Sequence, residues 1–554
     1  MYRVLLFILV TGSPLSVCLS QSWSGDTLQF TPITFDEPSP LGWNAQYKTV
    51  VNFPDDDSRW SQIFMVQTLK CDTATAGDAY PCGEWDYIWN IFIEVPQGDS
   101  TELFTLGSFV TPYGKRLKLG GESGWKWVYD ITEYAPLLKG ARNIIAGNNQ
   151  ELLNLQFLFI RGTPARQVLS VENVYPYGEY KYEYLSTDSL LKERQIVLSE
   201  AAAAFSLKAT ISGHGHAGPY NCCEWDSKTH TYRLNSWETY RWNVWKDCGN
   251  NPIYPQGGTW AFDRAGWCPG TKVDEYMFEL TPKVSPGDTI TLDYTIEPFM
   301  DNGEKDGTLR MSHQLFSFGP PHFNYNAAVV QILVPNAKDQ YSRMNPSGGN
   351  PIIIIKNEGA YPIRDLNITY GIAGHRKKKF NWKGNLEFLE SEEVVLPALS
   401  RKQMRESGRF QVHLVLPKPM LDEYPENNTL TSHFQKPVSF PHKFVLSIQT
   451  NNLGRSAENK YYISDMSGLI WYYMDDFKDS TNYRIPVDLA KGMYQFKFSD
   501  EMEDGISRHW WNRNAAPSQV GMDGLVLFES MSGDTLLSFP PDFGQELLFD
   551  FIVE

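Results

Sequence analysis

From Thr289 to Glu297 the chain reads TITLDYTIE, with Ile290, Leu292, Tyr294 and Ile296 on one side and polar residues on the other. A period of two is the mark of a half-buried strand. MYQFKFSD (493–500) repeats it with Tyr494, Phe496 and Phe498. Runs of this kind, broken by Gly, Pro, Asn and Asp, fill the chain and predict stacked β-sandwiches. Helical periodicity is scarce: only SLLKERQIVLSEAAAAF (189–205) has a helical look, as a linker helix or as the lead-in to a strand. A domain boundary is expected at about 180–190. Further on, NPIIIIKNEGAYPIRDLNITY opens an immunoglobulin-like module expected over 340–437, and a last β-rich unit is expected over 438–554. The fold class is therefore all-β. Neither tail unit shows a catalytic triad, a phosphate-binding loop or a metal-ligand spacing.

A chain of 554 residues is too long for one ordinary core and predicts several domains. Its 17 Trp and 29 Tyr suit folded domains with exposed aromatic platforms, and its net charge of −16 argues against a nucleic-acid partner. The start, MYRVLLFILVTGSPLSVCLS, reads as a signal peptide over 1–20: Arg3, a short apolar run, then small residues before Gln21. Cys18 also admits a lipoprotein acceptor, with Val17 a poor fit. No later apolar run is long enough to span a membrane, so an exported protein, periplasmic, secreted or surface-associated and monomeric, is expected. Six cysteines remain after Cys18, an even number that favours disulfides in an exported chain. Cys71 with Cys82, and Cys248 with Cys268, would each close a loop. The adjacent Cys222 and Cys223 could bond each other, stay reduced or pair elsewhere.

Two short stretches echo each other. CGEWDY (82–87) and CCEWDS (222–227) share Cys-x-Glu-Trp-Asp about 140 residues apart, roughly one sandwich domain. Taken as strands, they put Glu84 with Asp86 on one face and Glu224 with Asp226 on another, opposite Trp85 and Trp225. Paired carboxylates with split pKa values can run acid and base chemistry, and neighbouring aromatics suit the apolar faces of sugars. The alternative is that these acids hold a domain interface together. WAFDRAGWCPG (260–270) places Arg264 between Asp263 and Trp267, a fork for a carboxylate or a carbonyl oxygen. GHGH (213–216) sets His214 and His216 on one strand face, with His230 as a third ligand if a copper or zinc site were present; cysteines that are oxidised on export weigh against metal ligation, and no metal or cofactor is expected. DNGEKDG (301–307) and DEMEDG (500–505) look calcium-like but lack a closing Glu, and read as solvated turns.

The ordered stretches CGEWDYIWNIFIEV, FVTPYGKRL, ATISGHGHAGPY, CCEWDSKTHTYRLN and WAFDRAGWCPG together resemble the bacterial peptide-N-glycosidase F family, from about residue 45 to 335. The resemblance implies two side-by-side jelly-roll sandwiches, 21–183 and 184–336, with the catalytic cleft between them. It implies hydrolysis of the amide between the innermost N-acetylglucosamine and asparagine of N-glycoproteins or N-glycopeptides, without a metal. Asp86 and Glu224 fall on family acids and are the expected catalytic pair; Glu84 and Asp226 become structural. Arg264, Trp267 and Tyr113 match cleft residues, and His214, His216, Trp225 and Trp85 complete the expected substrate-binding set. There are two departures. The family carries a third acid on a strand corresponding to about 154–162, where the nearest residue here is Gln156, and it has a tryptophan at the position of His214. A non-catalytic glycoprotein-binding protein on the same fold, and a copper monooxygenase built of two sandwiches, are the alternatives.

Overall fold

The computed structural model describes residues 26–554 except 43–44, 56–58, 75–79, 148–150, 188, 301, 304–305, 345–348, 401 and 509–515. The expected signal peptide and Cys18 lie outside the described residues, as does part of DNGEKDG. Among the described residues the regular structure is almost entirely antiparallel sheet. Among the described residues no helix is long and apolar enough to cross a membrane.

The first sandwich packs a four-stranded sheet (order Thr27–Ile33, Glu151–Arg161, Trp60–Cys71, Trp125–Asp130) on a five-stranded one (Thr271–Lys272, Ser100–Val110, Ile88–Gln97, Gly140–Gly147, Gln46–Phe53). Its core is Ile, Leu, Phe and Trp from alternate positions of both sheets, including Ile63, Trp89, Phe104 and Phe157. The second sandwich pairs Arg194–Val197, Thr289–Ile296, Lys228–Leu234 and Trp237–Val244 in one sheet. Glu275–Glu279, Ala204–His214, Thr308–Pro321 and Arg166–Lys181 form the other. In Thr289–Ile296 the alternation is as read from sequence, with Ile290, Leu292, Tyr294 and Ile296 buried. The helical-looking run 189–205 is no helix. It supplies strand Arg194–Val197 and leads into Ala204–His214, because pairing to a sheet on each side outweighs the local propensity of its alanines.

One edge strand of the first sandwich comes from a loop of the second unit. Thr271–Lys272, from the loop after Trp267, pairs with Phe109–Val110 of the first sandwich. The loop of the second unit thus extends the sheet of the first, and this fixes the cleft walls relative to each other.

Two further sandwiches follow. In the third, Ala327–Val334 pairs with Ile352–Asn357, so this unit starts ahead of the break expected at 336–340. Its second sheet is formed by Lys378–Leu386, Ile363–Ile372, Gly408–Val415 and Thr429–Phe434. The fourth packs a five-stranded sheet centred on Gly492–Asp500 against a four-stranded one centred on Lys443–Gln449 and Leu525–Glu529. Tyr494, Phe496 and Phe498 fill its core as the sequence pattern predicts. The fourth unit rests on both of the first two. The indole N–H of Trp260 donates to Asp542 Oδ1 at 2.8 Å, and Arg116 binds both oxygens of Asp523 at 3.1 Å.

Candidate active site

The two acidic motifs lie in turns, not on strands: 82–87 ends where strand Ile88–Gln97 begins, and 224–227 ends where Lys228–Leu234 begins. This corrects the expectation of two acidic strands. Each turn is anchored at its cysteine end and by backbone pairing to a neighbouring loop, which leaves no strand partner for its acids. Cys82 is bonded to Cys71, at the end of a long strand. Gly114 N–H donates to Gly83 O at 3.0 Å, and Tyr87 and Thr111 exchange backbone and hydroxyl bonds at 2.9 Å. In the second turn Glu224 O accepts from Ala265 N–H at 3.0 Å, and Gly213 N–H donates to Ala265 O at 2.9 Å. Both motifs therefore occupy the same place in their sandwiches, at the start of a strand facing the domain junction.

The loop 245–270 closes the junction. Cys248 is bonded to Cys268, Lys246 and Arg264 pair through their backbones, and Asp263 Oδ1 accepts from Cys248 N–H at 2.9 Å. Arg264 is completely buried (0 % exposed). Its Nε donates to Glu224 Oε1 at 3.2 Å, Nη1 to Phe262 O at 2.6 Å, and Nη2 to Thr259 O and Oγ1 at 2.8 and 2.9 Å. The guanidinium lies between the rings of Trp225 and Trp267, 4.4 and 4.8 Å from their centroids. His214 stacks on Trp267 at 5.0 Å. His214, Trp267, Arg264 and Trp225 thus pack against one another in sequence.

Burial pushes Asp86 above the usual carboxylate range, with the Arg264 charge pulling the other way. Glu224 is raised too, first by desolvation; Arg264 opposes this and the negative charge of Asp86 adds to it. Both acids thus face one cation, and Glu224 also feels the negative charge of Asp86. The Tyr113 hydroxyl is raised by burial and by Asp86, and it accepts from Thr259 N–H at 3.3 Å.

A cavity of about 510 Å³ opens beside this cluster, lined by Glu84, Trp85, Tyr113, Lys115, Thr259 and Arg508 among others. Trp85 stands 55 % exposed at its edge. Asp86 and Glu224 are not part of its wall; they lie next to it, linked through Trp85, Tyr113 and Thr259.

The expected site residues divide as follows. Asp86, Glu224, Tyr113, Trp225 and Arg264 come together. Arg264 and Trp267 are both buried (0 and 2 %) and do not offer a contact surface: the arginine fork is spent on Glu224, Thr259 and Phe262, and the indole N–H donates to Gly213 O at 2.7 Å. They position other groups. His214 and His216 do not share a strand face, because Gly215, at φ 72°, ends one strand between them. His214 is half-buried and held neutral by burial and by the nearby Arg310 and Arg264 charges; His216 is exposed. His230 lies in the second core, 2.7 Å from the Tyr294 hydroxyl and stacked on Trp242. Asp226 is ion-paired with Lys228. Cys222 and Cys223 are bonded to each other.

Gln156 sits opposite Val66, five positions along from the Glu151–Cys71 pairing, which places it roughly 17 Å along the strand from the disulfide that anchors the Asp86 turn. The acid at that end is Glu151, completely buried and outside the stretch where sequence reasoning searched. Thr259, Lys115 and Arg508 were also missed. The first had a signal in the Gly257-Gly258 turn ahead of it; Arg508 had none, lying far along the chain in another sandwich.

Gly258 shows how tightly the two walls meet. Its φ is +59°, and a Cβ there would stand 2.3 Å from the Tyr113 hydroxyl. Gly258→Ala is expected to cost about 1–2 kcal/mol for the left-handed backbone alone, and more for the clash. Tyr113→Phe in the same chain removes the clashing oxygen and should recover part of the loss; thermal melts of the two single variants and the double variant measure it.

Two antiparallel sandwiches thus stand side by side, with two carboxylates and a buried arginine at their junction. Residues 181–316 match the family "Peptide-N-glycosidase F, C terminal". The chain is 29 % identical over 280 residues to peptide-N(4)-(N-acetyl-beta-D-glucosaminyl)asparagine amidase F of Elizabethkingia miricola, covering 47 % of this chain and 75 % of that protein. A solved structure of PNGase F, a glycosylasparaginase from Flavobacterium meningosepticum, is 26 % identical, covers 53 % of this chain and 96 % of its own, and superposes with a TM-score of 0.46. The similarity to these proteins spans about half of this chain.

Proposed function

We propose that this protein is an exported peptide-N-glycosidase: it hydrolyses the amide joining the innermost N-acetylglucosamine of an N-glycan to asparagine. The observation that carries the reading is the junction cluster of Asp86, Glu224 and Arg264, within a half-chain related to a named asparagine amidase. In this reading the first two sandwiches form the catalytic unit and the two that follow are appended modules. The three disulfides support export.

Asp86 takes a proton from a water, which adds to the side-chain carbonyl carbon of the asparagine. The C–N bond breaks as Glu224, whose pKa burial and the Asp86 charge raise, gives a proton to the leaving nitrogen. The products are aspartate and a glycosylamine. Arg264 does not touch substrate; it holds one oxygen of Glu224 and sets the charge of the site. The exposed Trp85 ring and the cavity it edges offer an apolar face to a sugar.

Incubation with a denatured N-glycoprotein in ¹⁸O water tests this. The freed peptide should carry aspartate with one heavy oxygen; unchanged glycopeptide, or cleavage between sugars, would refute it. The pH profile follows from the two raised acids. Activity should fall on the acid side as Asp86 takes up its proton, at a pH above the usual aspartate range. It should fall on the alkaline side as Glu224 loses its own. Both limbs belong to the coupled pair, and kcat/KM measured against pH should be bell-shaped.

A further inference from the structure

DEMEDG in the fourth sandwich looked calcium-like but short of one carboxylate. The fold supplies it from elsewhere. Strands Asn459–Asp465 and Gly492–Asp500 pair with Asn459 opposite Asp500, which brings Glu458, just ahead of the first strand, to the end of the second. Asp504 returns to the same place in the following turn. One carboxylate oxygen from each of Glu458, Asp500 and Asp504 lies within 4.8 Å of the other two.

Asp500 is buried (2 % exposed). One of its oxygens accepts from Asp504 N–H at 3.0 Å, and the other is buried with no hydrogen-bond partner. Glu458 Oε1 is likewise buried without a hydrogen bond, 3.7 Å from Arg455 Nε. Arg455 is also paired with Asp504. One guanidinium thus faces three carboxylates. A buried carboxylate oxygen with no donor is costly, and three converging hard oxygens are what a calcium ion takes, completed by backbone carbonyls and water. Zinc prefers nitrogen and sulfur, and magnesium is reluctant to shed its waters for an all-protein cage.

We propose that Glu458, Asp500 and Asp504 form a calcium-binding site. It lies one layer behind the candidate active site. Arg455 Nη1 donates to Ser507 O at 2.5 Å. Arg455, Asp504 and Arg508 line a small crevice against Thr259, Trp260 and Phe262, the loop that holds Arg264. A bound ion would brace the 500–508 turn, whose Arg508 also lines the 510 Å³ cavity.

The test is isothermal titration of the full-length protein with calcium chloride after chelator treatment, paired with thermal melts in calcium and in chelator. One saturable site is expected, with a melting temperature that rises with calcium. Asp500→Asn and Glu458→Gln should each weaken binding at least about tenfold while melting in chelator no lower than the parent, since each replaces a buried carboxyl oxygen that has no hydrogen-bond donor. Asp534→Asn, on an exposed turn, should leave binding unchanged. No saturable heat up to about 10 mM calcium, well above the range of weak extracellular sites, would overturn the proposal. So would binding that survives both variants, or equal response to magnesium. If one variant does not fold, the other decides.

Discussion

Asp86→Asn should abolish deglycosylation while the protein stays folded. Asparagine keeps the size of the side chain and its place beside Tyr113 but cannot accept a proton from water. Losing a positioned general base lowers the rate by roughly 10²–10⁴-fold. The stability consequence has the opposite sign. Asp86 has a pKa raised by burial, so the folded protein holds the proton more tightly than the unfolded chain. That favourable contribution is present at low pH and is lost as pH rises through the folded-state pKa. At neutral pH the ionised carboxylate is therefore a burden, and the amide should melt at the same temperature as the parent or slightly above it. The pairing of outcomes is the test: mass spectrometry of glycopeptide products for activity, calorimetry for the fold. Substantial activity in Asp86→Asn would sink the assignment. A cooperative collapse of the fold would instead make Asp86 a residue of the domain junction.

The strands were legible because burial in a sheet imposes a period of two: Thr289–Ile296 and Gly492–Asp500 bury the residues that their alternation marks. Local context was less well read. Glu84 and Asp86 alternate with Trp85, but the disulfide at Cys82 and the bond from Gly114 to Gly83 hold the segment as a turn, and alternation alone cannot distinguish the two. The same limit applies to GHGH, where one glycine in a left-handed conformation separates histidines that spacing puts together. The two acidic turns were legible because each carries a recurring motif. What surrounds them was not: Thr259 and Arg508 reach the site through packing between sandwiches, and Glu458 joins Asp500 through strand register across about forty residues. Such partners have no local sequence signal. Arg264 was found but given the wrong task, since only the structure shows how completely its fork is used.

That last point sets the second large effect. Arg264→Met removes a buried guanidinium that carries the Glu224 pair, two bonds to Thr259 and contacts with two tryptophans. Breaking one side of a buried ion pair costs about 3–5 kcal/mol, so a marked fall in melting temperature is expected together with loss of activity. Stability alone cannot separate a scaffold residue from a positioning one; the pH profile can. The Arg264 charge lowers the pKa of both Asp86 and Glu224. Without it both acids titrate higher, and the acid limb of the residual activity should move to higher pH, with kcat reduced far more than KM is raised. Arg264→Lys keeps a positive charge but not the planar fork. It should move the acid limb back toward the parent while recovering little of the stability, because the bonds to Phe262 and Thr259 need the guanidinium geometry. An acid limb that stays put in Arg264→Met would mean that the arginine only braces the loop, and that the split between the two acids arises from burial alone.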